Sequence, residues 1–205
     1  MDTGRQLFPY ERSLSQNIDY GCINPSTIAQ SGNFICWVSK NEKSGVSIVY
    51  SKGANANRIS TDGIDFKLEN LTAPEQCYGF MARIAGHTLY VVTWTVDNLT
   101  YAYDFNTERF YTLSDEYMDA FIVKKITFFN NKYYFVSIRD GNLYELNANF
   151  STYDYGDKVV EIPYIRVCES IELADQSRFA VGYLDSFVEK LAFNSYKFPS
   201  LIETK

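Results

Sequence analysis

Three stretches of the chain share one pattern, in which Gly or Asn opens a tight turn and a nearly continuous apolar and aromatic run follows. They are residues 31–39, with Gly32 at the turn and Phe34, Ile35, Cys36, Trp37 and Val38 behind it; residues 85–93, with Gly86; and residues 130–138, with Asn131. Successive side chains of a strand point to opposite faces, and in these runs both faces are largely apolar. The pattern predicts inner strands covered on both sides. A shorter alternating segment follows each run, at residues 46–50, 99–103 and 142–146, and each pair reads as a hairpin. A third strand is predicted in two of the units, at residues 58–60 and 109–113.

From Gly32 to Gly86 is 54 residues, and from Gly86 to Asn131 is 45. Units of about that length, each with three or four antiparallel strands, are the sequence signature of β-propeller blades. The expected fold is all-β: a partial β-propeller of three or more antiparallel blades, with a C-terminal extension of strands or a short helix. The expected organisation is an N-terminal arm over 1–20, blades over 21–158 and a β-rich extension over 159–205. Residues 159–167, interrupted by Pro163, read as the start of a fourth sheet or of a separate small one. Residues 177–193 fit a strand in their first part and a helical face in their second. Three blades cannot close a ring.

The composition supports this reading. Of 205 residues, 17 are Tyr and 15 Phe against only 11 Gly and 5 Pro, which favours pleated surfaces over a helical bundle. The formal net charge of −6 and the absence of any basic stripe beyond short pairs such as Lys124-Lys125 argue against a surface that grips DNA. A negative wall that encloses DNA without holding it fits the same charge. No apolar run reaches the length needed to cross a bilayer, and the first residues lack the apolar core of a signal peptide, so the chain reads as soluble, not exported and without membrane contact. Cys22, Cys36, Cys77 and Cys168 are scattered, with no Cys-x-x-Cys pair, and are expected as buried free thiols. The sequons at Asn70, Asn98 and Asn149 are read as chance.

Candidate chemistry is sparse. His87 is the only histidine, so any triad would have to use it; beside Gly86 in a turn it reads as a solvated residue. One His and four dispersed Cys do not build a zinc site. Asp62 and Asp65, in the stretch 60–66, loosely resemble the Asp-box of sialidases, with the Gly one place early and Phe66 where Trp is usual. They read as part of an Asx-type turn with Asp62-Gly63 at its tip. Asp104 and Asp140 read as ordinary turn acids at strand ends. No phosphate loop or dinucleotide fingerprint is present. The reading is of a protein without catalytic, metal-binding or cofactor-binding residues, and not an enzyme. The alternative is a carbohydrate-binding or glycoside-hydrolysing β-propeller in which aromatic side chains stack on sugars beside Asp62 or Asp65.

The stretch Phe8-Pro9-Tyr10-Glu11-Arg12, followed by residues 17–29 with Asp19-Tyr20-Gly21-Cys22 and Asn24-Pro25-Ser26-Thr27, resembles the packaged-DNA stabilisation proteins of short-tailed bacteriophages. The similarity continues through residues 32–38, 56–61, 86–93 and 101–104, so that roughly residues 8–150 are covered. The resemblance implies a non-enzymatic virion protein of the phage tail, a hub or nozzle built on a β-propeller. In that setting identical subunits form a ring below the portal and adaptor, close or extend the channel after packaging, enclose DNA without reading its sequence, and carry the tail needle. Assembly would take place in the bacterial host cytoplasm. Family members carry further blades before the arm, so the chain resembles the C-terminal portion of such a protein.

Overall fold

A computed structural model describes residues 19–41, 45–53, 55–150, 152–154 and 156–162, all within one compact unit that ends at Pro163. Most of the expected arm, and the extension beyond residue 162 with its strand-or-helix segment 177–193, lie outside the described residues. The chain forms successive antiparallel sheets in sequence order. The first contains β1 (Ala29–Ser31), β2 (Phe34–Asn41), β3 (Gly45–Lys52) and β4 (Asn55–Arg58). The second contains β5 (Cys77–Ile84), β6 (His87–Trp94), β7 (Leu99–Asp104) and β8 (Arg109–Thr112). The third has β9 (Val123–Phe129), β10 (Lys132–Ser137) and β11 (Leu143–Leu146), and a two-stranded sheet pairs β12 (Thr152–Asp154) with β13 (Val159–Glu161). This is the all-β, blade-by-blade architecture that the repeat predicts. No sheet closes on itself among the described residues.

The turns account for the regularity. Ala85 and Gly86 join β5 to β6 with φ of 50° and 86°, and Asn130 and Asn131 join β9 to β10 with φ of 48° and 60°. Two consecutive left-handed residues make a turn whose twist matches that of the flanking strands, and Gly and Asn carry that conformation at least cost. The Gly or Asn at the head of each apolar run therefore marks a hairpin. The strand before each turn, β1, β5 or β9, goes unread in the sequence because it is short, as β1 is, or carries Gly79 or the Lys124-Lys125 pair.

The sheets pack face to face with an apolar layer between neighbours. Between the first and second lie Cys36, Val38, Ile48, Tyr90, Val92 and Trp94, flanked by Phe34, Phe105 and Phe110. Between the second and third lie Phe80, Val91, Ala102, Val123 and Phe135. Alternation along β6 sends Tyr90, Val92 and Trp94 one way and Val91 the other, so this strand is buried on both faces as expected. β2 likewise carries a buried run from Cys36 to Ser39. β10 departs from the expectation: Val136 is 43% exposed and borders an open cavity beside Lys125, its partner on β9.

Three other expectations are corrected. Residues 62–69 form a helix, α1 (Asp62–Glu69), in place of an Asx-type turn. Thr61 caps it by accepting from the Ile64 amide, Asp62 and Asp65 favour the positive end of the helix dipole, and Leu68 anchors it in the core. The strand expected at 58–60 lies earlier, as β4, while the Ile59 and Ser60 amides turn back to the Ile48 carbonyl. Cys36 and Cys77 are buried free thiols, pushed up to about 12 chiefly by burial, but Cys22 is exposed in the loop before the first sheet. Cys168 lies outside the described residues.

Candidate functional site

The acids and the histidine singled out in the sequence each brace a local turn. The Arg58 guanidinium reaches Asp62 at 2.7 Å and Asp65 at 2.9 Å, tying the end of β4 to the first turn of α1. Asp65 is buried, and both carboxylates serve as counter-ions to arginine; the structure does not set them facing one another across a groove. His87 is more than solvated: its Nδ1 lies 2.8 Å from Asp104 Oδ2, with the ring about half exposed. Asp104 is buried at the end of β7, where it accepts from the Asn106 amide and the Thr107 hydroxyl. Burial alone would raise this carboxyl, but the Asn106 amide, the Thr107 hydroxyl and His87 outweigh it and hold it below the usual carboxylate range. The Tyr144 hydroxyl, with help from Asn142, lowers Asp140 to about 2.

These carboxylates make stability depend on acid. Their folded values lie below those of the unfolded chain, so the unfolded state takes up protons first as pH falls. Stability from Asp104 and Asp140 is fully present above the ordinary aspartate value of 3.8 and is lost as pH drops below it, for Asp140 toward about 2. Urea midpoints measured between pH 7 and 2.5 are expected to hold level to about pH 4.5 and then fall, with a shallower fall in Asp104→Asn. A midpoint that rises below pH 4 would contradict this assignment.

The segment Asn24-Pro25-Ser26-Thr27 forms a more extended junction. Asn24 caps a 3-10 turn, Pro25–Thr27, by accepting from the Ser26 amide, with Pro25 at the first position where its missing N–H costs nothing. The Thr27 side chain accepts from the Val38 amide of the first sheet at 3.2 Å, and the Thr27 carbonyl accepts from the buried Tyr90 hydroxyl of the second at 2.7 Å. Gly79 stands where this turn crosses β5: a Cβ there would sit 3.1 Å from the carbonyls of Thr27 and Val91. Lys125 of the third sheet completes the junction by donating to the carbonyls of Ser26 at 2.8 Å and Gly79 at 3.0 Å. One short turn thus ties three successive sheets together.

Beside the junction, where the second and third sheets meet, lies an open cavity of about 600 Å³. Ser26, Tyr78, Thr95, Lys124, Lys125 and Ser137 contribute to its wall. The β9–β10 register shifts between Val136 and Ser137, so that Lys125 pairs with Val136 and Val123 with Ser137. The extra residue is Lys124, and both lysines border the cavity. The Tyr78 hydroxyl is sealed from solvent without a well-placed hydrogen-bond partner, and burial pushes it up to about 12 against the opposing influence of Thr93. Sequence reasoning registered Lys124-Lys125 only as a short charge pair; the bulge that re-aims it leaves no local sequence mark.

A second cavity, of about 400 Å³, lies between the third sheet and the β12–β13 hairpin, with Phe121, Phe135, Tyr144, Phe150 and Tyr153 on its wall. Among the described residues no group of three or more His, Cys, Asp or Glu side chains gathers as a metal site, and no helix is long and apolar enough to cross a membrane.

Stacked antiparallel sheets of three or four strands, linked in sequence order and packed through two-sided inner strands, define a protein of the β-propeller class. A family model described as "Bacteriophage P22 Gp10, beta-propeller" matches residues 1–151, and the chain belongs to that family. It is therefore a bacteriophage structural protein of the DNA-stabilisation and head-completion kind, and a protein of the virion. No curated protein matches the chain.

Proposed function

We propose that this chain is a subunit of a phage tail hub or nozzle that closes or extends the portal channel and retains the packaged DNA. The family match over residues 1–151 carries the reading. The structure supports a passive role: Asp62, Asp65, His87 and Asp104 are all occupied in bracing turns. The net charge of −6 suits a wall that DNA passes without adhering. In this reading identical subunits form a ring, since head-to-tail contacts around a channel close by rotation, and the ring meets the portal and adaptor above and the tail needle below. The protein acts without catalysis and joins the virion in the host cytoplasm.

The test is assembly. Light scattering on the protein alone, then sedimentation with purified portal and adaptor rings, is expected to show a ring-sized species or its capture on the adaptor. A full-length protein that remains a monomer and passes the adaptor rings unbound would overturn the reading.

A further inference from the structure

We infer that the cavity between the second and third sheets, bordered by Lys124, Lys125 and Tyr78, binds a phosphate dianion. The argument starts from charge. Two adjacent lysines border one cavity because the bulge at Val136/Ser137 adds Lys124 to the strand beside Lys125. Lys125 is held by two main-chain carbonyls, of Ser26 and Gly79, and its partial burial lowers its proton affinity with no carboxylate acting against it. None of the residues that line the cavity is an Asp or Glu. With two carbonyl dipoles as its hydrogen-bond partners, this ammonium keeps its full charge toward an arriving anion.

The neutral groups at the wall suit an oxyanion. Ser26 and Thr95, each carrying a hydroxyl, line the same cavity. Charge decides between oxyanions. Two ammoniums match a doubly charged group better than a single carboxylate, and a free phosphate or phosphate monoester carries about −1.5 to −2 at neutral pH. A diester within a nucleic-acid backbone carries a single charge per phosphate. Inorganic phosphate and the terminal phosphate of a nucleic-acid strand share the dianion chemistry. The inference stands apart from the hub reading, because it rests on this cavity and not on assembly.

The test uses the full-length protein in a phosphorus NMR titration of inorganic phosphate at pH 7.5 and low ionic strength. Binding with Kd on the order of 1 mM is expected, and Lys124→Ala is expected to weaken it by about tenfold. Lys125→Gln, which keeps a donor for the two carbonyls, is expected to weaken it similarly. Circular dichroism of each variant establishes that the fold is kept. In the second arm, a short 5′-phosphorylated oligonucleotide that displaces phosphate, where its unphosphorylated twin does not, identifies a strand end as a source; failure of both to displace it identifies the free ion. The inference is overturned if phosphate at tens of millimolar leaves the spectrum unchanged, or if folded Lys124→Ala and Lys125→Gln bind as the parent does. Failure in the assembly assay bears on the hub reading alone.

Discussion

Replacing Trp94 with alanine is expected to destabilise the protein by about 3–5 kcal/mol, the usual cost of deleting a large aromatic side chain from a packed core. Trp94 is fully buried between the first and second sheets, meets Tyr101 edge-on at 6.3 Å and donates its Nε1–H to the Pro74 carbonyl at 3.1 Å. The alanine variant loses the transfer energy of the ring, leaves a void between two rigid sheets, and strips the Pro74 carbonyl of its donor. Trp94→Phe fills most of the void and loses the donor alone, at about 1–2 kcal/mol. Urea unfolding followed by circular dichroism separates the two. An alanine variant that loses less than about 1 kcal/mol would show that the sheets close over the gap.

The second large effect concerns the loop between β8 and β9. Asp115 is 2% exposed, accepts from the amides of Tyr117 at 2.8 Å and Asp119 at 3.0 Å, and pairs with Arg139, which also reaches Glu116 at 2.6 Å and lies over the Tyr117 ring. Asp115→Ala takes the acceptor from two amides at once and removes the carboxylate that pairs with Arg139. The expected cost is about 3 kcal/mol, discounted from that of a wholly buried pair because Arg139 is one-third exposed. Asp115→Asn keeps one oxygen for the amides and is expected to lose about half as much. At roughly 2–4 °C per kcal/mol for a chain of this size, calorimetry resolves the difference. Equal melting temperatures for parent and Asp115→Ala would refute the brace.

The blade repeat was legible because it rests on the most local of signals. A Gly or Asn at a left-handed turn, followed by residues apolar on both faces, can form little other than a two-sided strand entered through a tight hairpin, and β2, β6 and β10 stand where that logic puts them. The strands before those turns were hidden for physical reasons. β1 has three residues, while β5 and β9 carry Gly79, Lys124 and Lys125 because they run past the junction and the cavity. The α1 helix was hidden by Asp62-Gly63, a pair that reads as a turn until the Thr61 cap is seen to organise it. The functional surface was harder still. The Asn24-Pro25-Ser26-Thr27 stretch stood out only as part of a family resemblance; its bonds reach Val38, Tyr90 and Lys125, which no local pattern connects to it. The cavity depends on one inserted residue in one strand pair, and a bulge has no signature in hydrophobic alternation.

Because among the described residues each sheet packs on its neighbours in sequence, these sheets behave energetically as a one-dimensional array, in which every sheet has an intrinsic stability and shares an interface term with the next. In such an array cooperativity is passed along the line. The second sheet draws on two full interface terms, whereas the third shares one with the second and beyond it meets the short β12–β13 hairpin, whose Tyr153 packs on the same apolar cluster. Opening then begins at that margin and travels inward, so local unfolding free energies form a gradient along the sequence. The 3-10 turn at Pro25–Thr27 interrupts that gradient: by bonding to the first, second and third sheets at once, it couples sites that the array alone would leave nearly independent.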